Sequence, residues 1–317
     1  MGVMEVKKKL IIGLCSFILL GLNFGQVTNA ASADIPKVKN MSIEVLVDAR
    51  RVAFPDVRPQ IKNGTTLIPL RFVTDKLGGK LTLTGKNISI EKGDRQIVMT
   101  IGGRTATVNG ETVTLDTPSV AVNGRTLVPL RFVSQALGET IKWDGVNQYI
   151  WIGSTEVPKL EDVAKPVSIE PYLDLFKKGE YVLKFGNITY SQVRILSKDD
   201  FPIQFENEII YRIDYAQSTD KTEFLRSISD SKSQIGTNYY LMQKGEPLKY
   251  RGEVVRLRER TSQDNDLRIK YHQIIARIDE DMLGIRSYKS LELKDIEFVG
   301  VDVDSNAAVF VKNDFTK

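Results

Sequence analysis

The strongest constraint on this chain is a sixteen-residue stretch that occurs twice. NGTTLIPLRFVTDKLG fills residues 63–78 and NGRTLVPLRFVSQALG residues 123–138, sixty positions later, with eleven of the sixteen residues identical. Each copy reads as one supersecondary unit. Asn-Gly requires a tight turn with positive φ. Thr-Leu-Ile or Thr-Leu-Val predicts a short apolar strand, and Pro69 or Pro129 opens a helix, where a missing N–H costs nothing. Leu70, Val73 and Leu77 in one copy, and Leu130, Val133 and Leu137 in the other, fall at i, i+3 and i+7, on one helical face. Gly78 and Gly138 stand where a left-handed C-terminal cap belongs. Helices of about two to three turns do not persist alone in water, so both must lie against something.

The flanks say what that is. Gly85 and Gly145, Asn87 and Asn147, Ile90 and Ile150, and Gly93 and Gly153 keep the same offset. LTLTGKNISIEKG and IKWDGVNQYIWIG each predict a strand, a Gly-containing turn and a second strand. Between the copies, turn signals at Gly93, Gly102, Asn109 and Asn123 separate runs rich in Val, Ile and Thr, the pattern of a β-meander. Upstream, residues 43–54 alternate as a strand or hairpin does, and Pro55 and Pro59 break the run. Together these predict one duplicated α+β domain over residues 34–153, an antiparallel sheet with two short helices on a face.

Residues 1–33 fit a secretory signal peptide: Lys7, Lys8 and Lys9, then the apolar LIIGLCSFILLGLNFG, then small residues ending at Ala30 or Ala33. The apolar run is short for a membrane span and is interrupted by Gly13, Gly21 and Asn23, so cleavage is expected, with no stable span thereafter. Cys15, the one cysteine, falls inside it, and Leu14 is not the small residue that precedes a lipidated cysteine. The mature chain then has neither disulfide nor thiolate chemistry and must be held by packing. Lys7, Lys8 and Lys9 against Glu5 account for half of the formal net charge of +4, so the rest carries no nucleic-acid signature.

Residues 154–171 contain Pro158, Pro166 and Pro171 and little periodicity, which reads as a linker. Residues 172–317 have another texture. Tyr172, Leu173, Leu175 and Phe176 predict a short helix, and Phe224, Leu225 and Ile228 a second one begun by Thr219 or Asp220. Eight further runs are strand-like, among them IQFENEIIYRIDYA, EVVRLRER, LRIKYHQIIARID and AAVFVK, and predict a mostly antiparallel sheet, barrel or sandwich.

The doubled NGxTLxPLRFV with its short helix, and the WDG hairpin ending in IWIG, resemble the copper amine oxidase N-terminal domain, or stalk domain, over about residues 43–153. The resemblance implies a non-catalytic module, a twisted antiparallel sheet wrapped around helix, carried by secreted and cell-wall proteins of Gram-positive bacteria. Leu83-Thr84-Gly85 replaces Trp143-Asp144-Gly145 in the first copy, so that hairpin is expected to pack less aromatic surface. The family name implies no oxidase here. The oxidase core builds its quinone from the Tyr of an Asn-Tyr-acid motif and binds copper through three His. The nearest string, Thr237-Asn238-Tyr239-Tyr240, lacks the acid, and His272 is the sole histidine.

The remaining chemistry is sparse. No phosphate-binding Gly loop, GxSxG elbow, HExxH or CxxC occurs. His272, at the centre of KYHQIIARI, has no sequence partner for a triad and reads as a strand residue on a polar face. Asp302, Asp304 and Asn306 have the 1, 3, 5 spacing of a calcium loop, but Ala307 and Asn313 replace its Gly and its bidentate Glu. Arg71 and Arg131 recur at helix starts, against the macrodipole, and call for an ion pair or sheet carbonyls. The sharpest feature is electrostatic. As strands, Arg256, Arg258 and Arg260 share one face, as do Arg268, Lys270 and His272, and the short TSQDND link would pair them in a hairpin. That strip makes Arg256, Arg258, Arg260, Arg268 and Lys270 the candidate polyanion-binding residues, although an ordinary solvated sheet face explains the same pattern.

The chain therefore reads as α+β: a duplicated stalk-type sheet followed by a mostly β C-terminal domain. The expected protein is secreted or held in a Gram-positive-type envelope, without enzyme activity, cofactor or metal. Its expected partners are an anionic wall polymer or another surface protein. The other class is an envelope-polymer hydrolase that draws on Glu206, Glu208 or Asp214, since a glycosidase needs only two carboxylates suitably spaced.

Overall fold

The two copies of the repeat meet strand to strand. In this computed structural model, which describes residues 36–38, 41–185, 188–206, 208–230, 237–260, 266–302 and 306–315, strand Thr65–Pro69 runs antiparallel to Arg125–Pro129. Ile68 lies opposite Val128, its own equivalent sixty residues on, so a pseudo-twofold axis passes between them. Gln60–Lys62 and Val120–Val122 flank the pair symmetrically. The Asn-Gly turns behave as their chemistry requires: φ is 48° and 74° at Asn63 and Gly64, and 47° and 74° at Asn123 and Gly124. The signal-peptide segment lies outside the described residues.

Each strand feeds a helix, Leu70–Lys76 or Leu130–Leu137. The first ends in a Schellman cap: Gly79 N donates to Thr74 O at 2.9 Å and Gly78 N to Asp75 O at 3.1 Å, with Gly78 at φ 74°. Leu70, Val73, Val133 and Leu137 are buried as their spacing predicts, with Leu77 and Leu130 partly so. They pack on Ile88, Ile90, Ile97 and Met99 from one sheet and on Val45, Val47, Ile150 and Ile152 from another. The first hairpin, Lys80–Thr84 with Asn87–Lys92, opens the five-stranded meander that continues to Glu111–Thr114. The second, Ile141–Asp144 with Tyr149–Ile152, instead joins Glu44–Val47, which pairs parallel to Tyr149–Ile152. Trp143 is 43% and Leu83 48% exposed, so the expected aromatic difference between the hairpins lies on the surface. The aromatic residues that pack are Tyr149 and Trp151.

From residue 167 onward the two larger sheets face each other. One runs Ile203–Gln204, Ile209–Gln217, Glu223–Ser229, Asp266–Gln273, Val255–Arg260; the other is six-stranded, from Val167–Ser168 to Lys249–Arg251. Ile213 and Leu225 of the first share a core with Tyr239, Leu241, Val299 and Val311 of the second, a sandwich built mostly of antiparallel pairs. The predicted helix at Tyr172 is a 3₁₀ segment, Glu170–Phe176. The predicted helix at Phe224 is wrong, because those residues form a central strand bonded on both sides. Phe224 and Ile228 lie four positions apart, an even offset, so a strand also places them on one face. Leu225 then turns to the opposite, equally apolar side.

That both-sided burial has a cause. Ile35–Lys317 forms one compact unit, and the C-terminal sheet lends its outer face to the repeat module. Leu46, Ala49, Tyr149 and Trp151 pack against Tyr211, Phe224, Ile228, Ile269 and Tyr271. Residues 154–171 contribute as well: Leu160 is buried in the sandwich core, and Pro158 O accepts from Gln204 N at 2.8 Å.

A polar brace closes the junction. Tyr149 Oη donates to Tyr211 O at 2.6 Å and accepts from Arg51 Nη2 at 2.7 Å. The guanidinium groups of Arg51 and Arg212 lie 5.3 and 5.4 Å from its ring centroid. Arg212 reaches Asn147 O at 2.6 Å and both Asp214 oxygens at 3.0 Å, and Arg226 Nη1 binds Asp214 Oδ2 at 3.1 Å. Burial raises the Tyr149 phenol above its usual range, so it remains a donor at physiological pH.

Elsewhere, Arg251 holds Asp279 with two bonds of 2.6 and 2.8 Å and gives its other N–H groups to Ile274 O and Tyr250 O. Both side chains are essentially inaccessible. Removing one partner strands a buried charge, so Asp279→Ala is expected to cost about 3–5 kcal/mol in urea unfolding, and a paired Arg251→Met/Asp279→Leu change to recover part of that. Tyr149→Phe, which leaves Tyr211 O without its donor, is expected to cost about 1–3 kcal/mol by the same measurement.

Candidate functional site

The junction does not close completely. A cleft of about 1580 Å³ opens between the repeat module, residues 154–162 and the edge of the C-terminal sheets. The module contributes the turn residue Asp48, Asp144 at a strand end, and Trp151. The C-terminal side contributes Arg194, residues 204–206, Ile209, Tyr211 and Asn306. Residues 154–162 pass along it as a strap, pinned at one end by Ser154 N to Asp48 Oδ1 at 2.8 Å and further on by the Pro158 to Gln204 bond. Asp144 is likewise occupied locally: it accepts from Val146 N and Asn147 N at 3.0 Å and from Asn147 Nδ2 at 2.8 Å. The WDG motif thus supplies a turn rather than a ligand.

The cleft lining is acidic. Six carboxylates, of Asp48, Asp144, Glu156, Glu161, Asp162 and Glu206, face only Lys159 and Arg194. Glu156, Glu161, Asp162 and Glu206 are exposed. Arg194 is 6% exposed; Nη1 donates to Ala164 O and Nη2 to Asn306 Oδ1 at 3.2 Å, while Nε has no partner among the described residues.

The basic strip comes out differently from its sequence reading. The hairpin exists in the expected register, with Arg256 opposite Lys270, Arg258 opposite Arg268, and Arg260 opposite Asp266. The side chains of Arg256, Arg258 and Arg260 lie outside the described residues. Lys270, however, is 1% exposed and His272 fully buried, and Arg268 is half-buried. The assignment of Lys270 to a solvent strip, and of His272 to a polar face, is therefore corrected. Their strand has covered faces on both sides. Leu267, Ile269 and Tyr271 face the repeat module, and His272 meets Tyr239 of the opposing sheet at 4.6 Å between ring centroids.

The three carboxylates considered for hydrolysis sit in three environments. Glu206 opens on the cleft. Glu208 is held above the usual carboxylate range by burial, against the opposing pull of Lys270. Asp214 is consumed by Arg212 and Arg226. Asn306, third of the calcium-like triplet, holds a guanidinium, which no cation site would tolerate, and Asp302 lies 3.5 Å from Asn238 Nδ2; Asp304 lies outside the described residues. Among the described residues no group of three or more His, Cys, Asp or Glu is placed to hold a metal. Arg131 finds Asp116 at 2.9 Å on the surface, and Arg71 is exposed.

Sequence reasoning missed the cleft and the brace. One signal was available: YIWI, residues 149–152, is an unbroken apolar run in a protein of alternating strands, and such a run marks a strand covered on both faces.

The family model of the copper amine oxidase N-terminal domain matches residues 46–152, about a third of the chain. No curated protein matches it.

His272 supplies a titration. Burial pushes its pKa down to about 4, offset only in part by the backbone of Gly252 and Arg251. The unfolded chain binds this proton near pH 6.5 and the folded chain does not, so stability is full above about pH 6.5 and falls as the pH drops toward 4. The loss is expected to reach about 3 kcal/mol. Urea unfolding of the wild type and of His272→Leu across this window measures it, the variant having the flatter slope.

Proposed function

We propose that the protein is an exported, non-enzymatic component of a Gram-positive-type cell envelope, in which the stalk-type module is a scaffold fixed to a β-rich half that does the binding. The observation that carries this reading is where the module places its strongest side chains. Tyr149 and Arg51 are committed to the C-terminal sheet and its neighbours, and Trp151 packs in the same junction. The signal-like residues 1–33 and the match to a domain that carries no oxidase chemistry support it. Of the three carboxylates named for the hydrolase alternative only Glu206 lines the cleft, and Asp214 is neutralised by Arg212 and Arg226, so a hydrolase would have to pair Glu206 with another of the cleft carboxylates.

The proposed partner on the basic side is an anionic wall polymer such as teichoic acid. Strand Val255–Arg260, which carries Arg256, Arg258 and Arg260, is the outermost of its sheet, with Arg268 on its neighbour. Mature protein passed over isolated cell walls is expected to be retained and then released by modest salt, as screened polyanion contacts are. A triple Arg256→Glu, Arg258→Glu, Arg260→Glu variant is expected to pass through unretained. Retention indifferent to salt and to the triple change would overturn the polymer assignment, and turnover of an envelope polymer by the wild type would overturn the non-enzymatic one.

A further inference from the structure

The second hairpin of the repeat ends its sheet: Ile141–Asp144 pairs with Tyr149–Ile152 and, among the described residues, with no strand on its other side. The bonds already made show which backbone groups face that open edge. Gly153 N donates to Thr140 O at 2.9 Å, so Thr140, Lys142 and Asp144 turn their main-chain groups inward, toward the partner strand. Asp48 N to Ile152 O and Glu44 N to Gln148 O, both at 3.0 Å, fix the same alternation from the far side of that strand. Ile141 and Trp143 therefore direct their N–H and C=O groups outward, where no described residue receives them. The same edge carries the half-open indole of Trp143. Unpaired backbone beside an exposed aromatic side chain is a template for another strand.

The order of side chains along the strand says which strand fits. Lys142 and Asp144 lie on one face, opposite Trp151 and Tyr149, and Trp143 lies on the other, opposite Ile150. A second copy of the strand, antiparallel and related by a twofold axis through Trp143, sets Trp143 against Trp143, where the two can exchange both main-chain bonds. The same register sets Lys142 against Asp144 of the partner, twice. Moving the axis by one residue either way sets Lys142 against Lys142 or Asp144 against Asp144, both repulsive. A lysine on an edge strand ordinarily discourages pairing, and only the Trp143 register gives it an opposite charge to meet. The equivalent strand of the first copy, Lys80–Thr84, also ends its sheet, but Thr82 and Thr84 stand in place of Lys142 and Asp144, so that edge lacks the pattern.

We infer that the edge strand Ile141–Asp144 is a self-association surface whose partner is a second copy of this chain, paired antiparallel about Trp143. Four residues a side bury too little surface for an obligate dimer, so the pairing is weak and concentration-dependent. It is independent of the wall-polymer reading, which uses other strands.

Residues 34–317 contain no cysteine, so a cysteine placed on the edge reports on this pairing alone. Directly opposed residues of a bonded antiparallel pair have Cα atoms about 5.5 Å apart, a span that a disulfide bridges. Under mild oxidation the mature Trp143→Cys chain is expected to form a covalent dimer. Thr140→Cys, whose two copies would stand on the order of 20 Å apart in this register, is expected to form at least about tenfold less. Adding Lys142→Glu to Trp143→Cys, which sets Glu against Asp144 twice, is expected to slow the crosslink by about tenfold with unchanged urea unfolding. Sedimentation of the unaltered mature chain is expected to show a mass that rises toward the dimer as concentration is raised about a hundredfold. A mass that stays at the monomer throughout, no crosslink from Trp143→Cys, or equal crosslinking from Thr140→Cys would overturn the dimer. A crosslink indifferent to Lys142→Glu would overturn the pairing about Trp143. None of these outcomes bears on retention by cell walls.

Discussion

The architecture depends on one aromatic ring held between two guanidinium groups. Tyr149 ends the second hairpin of the repeat, yet its hydroxyl bonds to the backbone of the C-terminal sheet, and Arg51 and Arg212 approach its ring from either side of the junction. Two like charges at such close quarters are tolerable because each has its own acceptors. Arg212 has Asp214 and Asn147 O, and Arg51 has Phe201 O, with Glu44 and Asp199 nearby. Both lie within cation–π distance of the ring centroid. Without Tyr149 the Arg51 to Phe201 and Arg212 to Asn147 bonds would still cross the junction, but the ring and hydroxyl that tie them together would be lost.

The brace also bears on the cleft. A flexible linker between two domains gives a gap of varying width. Here the strap is pinned at its start and at its middle, by the Ser154 to Asp48 and Gln204 to Pro158 bonds, and the brace fixes the junction beside it. The same docking explains why the strands Glu223–Ser229 and Asp266–Gln273 have no solvent face: the stalk-type module covers one side and the opposing sheet the other.

What was legible in the sequence follows from how local each signal is. The Asn-Gly turns, the helix faces through Leu70 and Val133, the glycine caps and the hairpins are decided within a few residues, and all are present as the sequence predicts. The strand at Phe224 was misread because spacing by four satisfies both a helix face and a strand face, and only the flanking strands discriminate. Lys270 was misplaced because alternation gives two faces without saying which of them is wet. The cleft was invisible because its lining comes from segments up to 258 residues apart, from Asp48 to Asn306, and no single one carries a motif.

The pairing of distant strands has a mechanical meaning. Glu44–Val47, the first strand of the stalk-type module, lies parallel to Tyr149–Ile152, its last, and Gln192–Leu196 in the C-terminal half lies parallel to Ala308–Lys312 near the end of the chain. Tension drawn between the start and finish of either half pulls such neighbours past each other, loading their bonds together in shear instead of peeling them apart singly. Separation of such a pair is set by the height of its unfolding barrier.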